Sequence, residues 1–144
     1  MLARNVVRCL ICAVVLFAGT GAAQAQDAIL DHLNDAAVEV KATPDPAEKR
    51  AILERNIDGM IGALNTVRGT PMLSEQDAKG IDQVRAQLQE KSDELAGRNG
   101  FSPVPDGQLD AFSSYVVQDL EQARNVTINV VILLLIIIII ILIV

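Results

Sequence analysis

The chain holds a single histidine, His32, and with Asp35 and Glu39 it forms a row at i, i+3 and i+7 that would share one face of a helix. An imidazole and two carboxylates are the donor types of a metal site. Carboxylates near a helix start are also what the helix dipole favours, and one imidazole with two solvated carboxylates falls short of a full ligand set. The row therefore reads as a polar face, and neither a metal nor any other cofactor is expected. Ser102, Ser113 and Ser114 offer hydroxyls, but no second histidine exists to activate them and no motif pairs them with a lysine. The expectation is a protein that is not an enzyme.

Cys9 and Cys12 have the spacing of a redox or zinc pair, but their surroundings argue against it. The segment MLARNVVRCLICAVVLFAGTGAAQAQ carries Arg4 and Arg8, then an apolar stretch from Cys9 to Ala18, then Ala23-Gln24-Ala25. A basic start, a short apolar core and a small-residue end are the parts of a cleavable export signal, so residues 1–25 are expected to be removed. The apolar stretch is well short of the ~20 residues that span a bilayer. No cysteine lies beyond Cys12, so the mature chain has no thiol for a disulfide or a zinc site.

Loss of Arg4 and Arg8 from 12 basic residues, set against 18 acidic ones, makes the formal charge of -6 two units more negative. An acidic surface repels phosphate backbones and anionic headgroups, which excludes nucleic acid as a partner and rules out polybasic docking on a membrane.

From Val126 to Val144 the only polar side chains are Thr127 and Asn129, both in the first turn. At ~1.5 Å per residue the run gives roughly 28 Å of helix, close to the thickness of a bilayer's hydrocarbon. A small chain has nothing to cover such a helix on all sides, so 126–144 is expected to be a single transmembrane anchor. Ile136 to Ile141 are consecutive isoleucines, and the run has neither a small-residue packing face nor an ionisable group. That is the character of an anchor and not of a channel. With the leader cleaved, the expected topology is single-pass in the inner (cytoplasmic) membrane, with the soluble part on the exported, periplasmic side. In a eukaryotic source the same layout would suit a GPI-anchored precursor, with Ser113 and Ser114 as attachment sites.

The exported segment 26–125 divides into helices by its punctuation. Leu30, Leu33, Ala37 and Val40 recur three or four residues apart and predict a helix over about 28–41. Thr43-Pro44-Asp45-Pro46 stops it and starts the next, with Asp45 as N-cap, Pro46 in the first turn and Glu48 in capping-box position. Leu53, Ile57, Met60, Leu64 and Val67 mark a helix over about 46–67, ended by Gly69 and Pro71. Ser74, with Asp77 three residues on, caps a third over about 75–96 that carries Ile81, Val84, Leu88 and Leu95. Lys91 fills the missing slot of that stripe, its stem expected over the seam and its ammonium in water. Gly97, Asn99 and Gly100 end this helix, and Pro103 and Pro105 make an extended loop. Leu109, Phe112, Val116, Leu120 and Ala123 predict a fourth helix over about 108–125, running on into the anchor. Tyr115 is expected near the membrane interface.

The fold class is thus all-α, a coiled-coil-like hairpin within a bundle of about four helices. Its apolar side chains are mostly medium aliphatics, with 3% aromatic residues in the whole chain, so the core gained is modest for a small helical domain. A domain of that kind gains from a protein partner or from homo-oligomerisation, and the stripe of Leu53, Ile57, Met60, Leu64, Val67, Ile81, Val84, Leu88 and Leu95 is the expected interaction surface. The functional expectation is a membrane-anchored envelope interaction or structural module. A small membrane-active, lysis-accessory protein is the alternative.

Overall fold

A computed structural model describes residues 22–71 and 73–122, together with positions 135, 136, 138, 139 and 142, and the side chains from Leu30 onward. Four α-helices and one short 3-10 turn stand among the described residues, and no strand does: α1 (Ala22–Ala42), α2 (Pro46–Arg68), α3 (Glu75–Ala96), the turn Asp106–Gln108, and α4 (Leu109–Gln122). Helix α1 packs on α2 and α4, α2 packs on α1 and α3, and α3 meets α4 only sparingly. The predicted all-α bundle is therefore what the chain forms.

Helix α1 starts at Ala22, earlier than the expected Ala28, and runs through the predicted Ala25–Gln26 cleavage junction. Ala22-Ala23-Gln24-Ala25-Gln26 are strong helix formers, but they carry no apolar stripe and so left no periodic signal. Leu30, Leu33, Ala36, Ala37 and Val40 face the core. At its end Thr43 bonds back through its backbone N–H and its hydroxyl to the Glu39 carbonyl. Asp45 then caps α2 by accepting the Ala47 N–H at 2.8 Å, with Pro46 in the first turn, where a missing N–H costs nothing.

Helix α2 buries two rows of side chains because it has neighbours on two sides. Leu53, Ile57, Met60, Leu64 and Val67 form one row, and Ile52, Asn56 and Ala63 lie beside it. Asn56 satisfies its buried amide on the Ile52 carbonyl at 2.8 Å. Helix α3 opens on Ser74, which accepts the Asp77 N–H at 3.1 Å and donates its hydroxyl to the Asp77 carboxylate. It closes on Gly97, whose φ of 70° is left-handed. The Gly97 N–H reaches the Glu94 carbonyl and the Arg98 N–H the Asp93 carbonyl, the paired bonds of a Schellman ending.

One contiguous core runs through the bundle, from Leu30 and Leu33 of α1 to Leu109, Phe112, Val116, Val117 and Leu120 of α4. Ile136 belongs to the same cluster, and Ile139 packs against it.

No helix among the described residues is long and apolar enough to cross a membrane. The expected span at 126–144 lies outside the described residues apart from its five described positions, and the expected leader at 1–25 lies outside them apart from the first residues of α1. Residues 123–125 of the predicted fourth helix also lie outside them.

Candidate interaction site

The stripe expected to meet a partner is the inside of the bundle. Leu53, Ile57, Met60, Leu64, Val67, Ile81, Leu88 and Leu95 are all buried, and Val84 is partly buried against the same core. Helical periodicity marks a face that needs covering, but it does not say by what. Here the α2 and α3 halves of the stripe pack chiefly on each other, with α1 against α2.

Lys91 is the second difference. The expected ammonium in water is instead enclosed at the sparse α3–α4 seam, with the side chain 2% exposed. Its Nζ donates to the Tyr115 hydroxyl and lies 3.3 Å from Asp119 and 3.5 Å from Glu94. It also sits 4.1 Å from the centre of the Tyr115 ring, a cation–π approach. Burial pulls the Lys91 pKa down, but the bonds to Tyr115 and Asp119 outweigh it and hold it above the ordinary value. The ammonium is thus a tie between α3 and α4. Tyr115, expected at a membrane interface, lies beside Phe112, the ring centres 6.1 Å apart and the planes tilted by 57°.

The residues set aside for chemistry stay apart. His32 is partly buried, with Nε2 enclosed and lacking a hydrogen-bond partner, while Asp35 and Glu39 point to solvent. Among the described residues no three His, Cys, Asp or Glu side chains gather as a metal site would require. Ser113 and Ser114 both donate to the Asp110 carbonyl of their own helix, and Ser102 is exposed on the loop.

The most elaborately held surface feature is the connection between α3 and α4. After Gly97, the Phe101 N–H bonds to the Arg98 carbonyl at 3.0 Å across Asn99 (φ 52°) and Gly100 (φ 90°). Two central residues with positive φ are the mark of a type I′ turn, and Asn-Gly is its preferred pair. Gly97 is required twice, since a Cβ there would also stand 2.6 Å from the Pro103 ring.

Side chains from α2 and α3 then fasten this loop at both ends. Arg50 donates to the Leu95 carbonyl at 2.8 Å, to the Val104 carbonyl at 2.6 Å and to the Asp106 carboxylate at 3.0 Å. Asp93 accepts from Asn99 at 2.6 Å, from Arg98 at 3.1 Å and from Gln89 at 3.2 Å. Ser92 accepts from Arg98 at 2.7 Å and donates to Asp58 at 3.1 Å. The Asn99 amide above all, helped by the Arg98 guanidinium, holds the Asp93 carboxyl below its ordinary pKa against the opposing effect of burial. Val104 and Leu109 plug the loop's far side into the core.

Phe101 stands at the crest of this frame, 40% exposed, between Gly100 and Ser102-Pro103. A backbone fixed on both sides that leaves an aromatic ring in water is an arrangement suited to docking, because a partner gains apolar area without ordering the loop. The Asn99-Gly100 dipeptide was a readable turn signal, whereas nothing local to Arg50 or Asp93 announced their roles. Comparison with protein families, with characterised proteins and with solved structures finds no match to this chain.

Proposed function

We propose that the chain is a membrane-tethered helical module that engages a protein partner and performs no catalysis. The apolar 126–144 run supplies the tether and the 1–25 segment the export signal, which together put the bundle on the exported, periplasmic side of the inner membrane. The observation that carries the interaction reading is Phe101, exposed on a connection whose backbone is bonded to α3 through the Arg98 N–H and to α2 through the Val104 carbonyl. Surface aromatics on rigid supports are the residues around which binding energy concentrates. The acidic balance of the chain favours a partner with basic residues around an apolar pocket.

The test is affinity capture of the detergent-extracted chain and of its Phe101→Ser variant, with the captured proteins identified by mass spectrometry. A protein recovered with the parent and lost with Phe101→Ser supports the reading. Equal recovery with both, or recovery of nothing with either, overturns it.

A further inference from the structure

We propose that the apolar tail has two mutually exclusive seats, the core of its own bundle and the interior of a bilayer, so that membrane insertion draws side chains out of the core. Ile136 is 1% exposed within the core cluster and Ile139 packs against that cluster. The other three described positions, Leu135, Ile138 and Leu142, face outward at 40%, 44% and 76% exposure. Of the five described positions, two lie against the bundle and three are bare aliphatic side chains.

The exclusivity follows from geometry. In a span that begins at Val126, Ile136 lies roughly 15 Å along the helix, near the middle of the hydrocarbon. A side chain at that depth has no contact with a domain outside the membrane. The core that holds Ile136 therefore exists only while the tail is off the membrane, and the two states compete for the same residue. By linkage, whatever stabilises the inserted state weakens the bundle by the contacts it removes. The inference rests on the anchor reading given above.

The experiment uses the full chain made in a cell-free system without detergent, with amide hydrogen exchange followed by mass spectrometry before and after addition of phosphatidylcholine vesicles. Vesicles should bind the chain, protect the tail and speed exchange in α1 and α4. Ile136→Ala, without vesicles, should speed exchange of the bundle's slowest amides roughly 30-fold, the change expected when a buried isoleucine is lost. Ile136→Asp should do so more strongly, whereas Leu142→Asp should leave bundle exchange unchanged and weaken flotation with vesicles.

Unchanged bundle exchange in both Ile136 variants overturns the seat in the core while leaving the anchor reading standing. Bundle exchange that ignores the vesicles, in a chain that floats with them, overturns the exchange between seats. A parent chain that fails to float defeats the anchor reading and this inference with it, even where Ile136→Ala loosens the bundle.

Discussion

The bundle has two connections flanking α3, and they are built differently. Between α2 and α3, Gly69 has an ordinary helical φ of -77°, and Thr70 folds its hydroxyl onto the Val67 carbonyl. The polar contacts across that end, Arg68 with Asp82 and Arg85 with Asn65, join solvent-exposed side chains. Between α3 and α4 there are three residues of positive φ; Arg50 reaches in from α2 to hold two backbone carbonyls, and Asp93 of α3 holds the Asn99 and Arg98 side chains. The first connection reverses the chain, whereas the second maintains a shape. Exposed ion pairs are worth little, because solvent screens them and holding them costs side-chain entropy. A guanidinium that satisfies two backbone carbonyls supports something only if the loop's conformation matters. The difference in construction is what directs attention to Phe101.

Both connections hang on the α2–α3 seam, so the largest effect is expected there. Leu64→Asp places a carboxylate in the core between Met60 and Val67, at a cost of several kcal/mol that a small helical domain cannot absorb. Gln83→Asp lies on an exposed position of α3 and should shift the melting temperature negligibly. Thermal melts followed by circular dichroism separate the two, and comparable losses in both would break the register on which the comparison of connections stands.

Next come the glycines. Gly97→Ala meets a left-handed φ and the Pro103 ring together and should cost about 2–4 kcal/mol. Gly69→Ala has helical φ and ordinary contacts, its added Cβ 3.5 Å from the Thr66 carbonyl, and should be neutral or stabilising by up to ~1 kcal/mol. Denaturant unfolding measures both. Equal costs would mean that the α3–α4 loop is no more constrained than the α2–α3 turn.

Arginine replacement sharpens the contrast. Arg50→Met keeps most of the stem but removes the donor from the Leu95 and Val104 carbonyls, an expected loss of about 1–3 kcal/mol together with faster exchange in residues 98–105. Arg68→Met removes only exposed contacts to Asp82 and should fall within about 0.5 kcal/mol of the parent. A neutral Arg50→Met would show that the loop keeps its shape without the clamp.

What the residues announced in advance, and what they did not, divides along the same line. Asp45 before Pro46, Ser74 before Asp77, and Gly97 after α3 are local devices whose partners lie within a few residues, and all three take their expected places. Arg50 finds its carbonyls 45 and 54 positions away, a pairing that no window along the chain contains. Lys91 was expected in water because an unpaired ammonium cannot be buried, and the residues that make burial tolerable, Tyr115 and Asp119, come from a helix placed against it only by the fold. The apolar stripe was legible as a face to be buried, and its α2 and α3 halves bury each other. Exposed Phe101 carried no periodic signal, since a single aromatic in a Gly-Pro-rich loop looks the same whether the loop is loose or clamped.

The smallest expected effect belongs to Asp93, and it appears in the pH dependence. Its carboxyl is held below the ordinary value of 3.8 by Asn99, Arg98 and Gln89, so the folded chain binds a proton there less readily than the unfolded chain does. Stability from this group is therefore fully present above its ordinary pKa and is lost as pH falls through the lower, folded value. Asp93→Asn cannot titrate, and it sets an amide where the Asn99 amide now donates. Melting temperatures of parent and variant should differ by a constant gap from pH 7 down to about 5, and the gap should narrow once the parent carboxyl begins to protonate. Other carboxylates titrate alike in both chains and cancel in the difference. A gap that stays constant into the strongly acid range would mean that the Asp93 charge does not hold the Asn99 turn, and the α3–α4 connection would then lose one of its two fastenings.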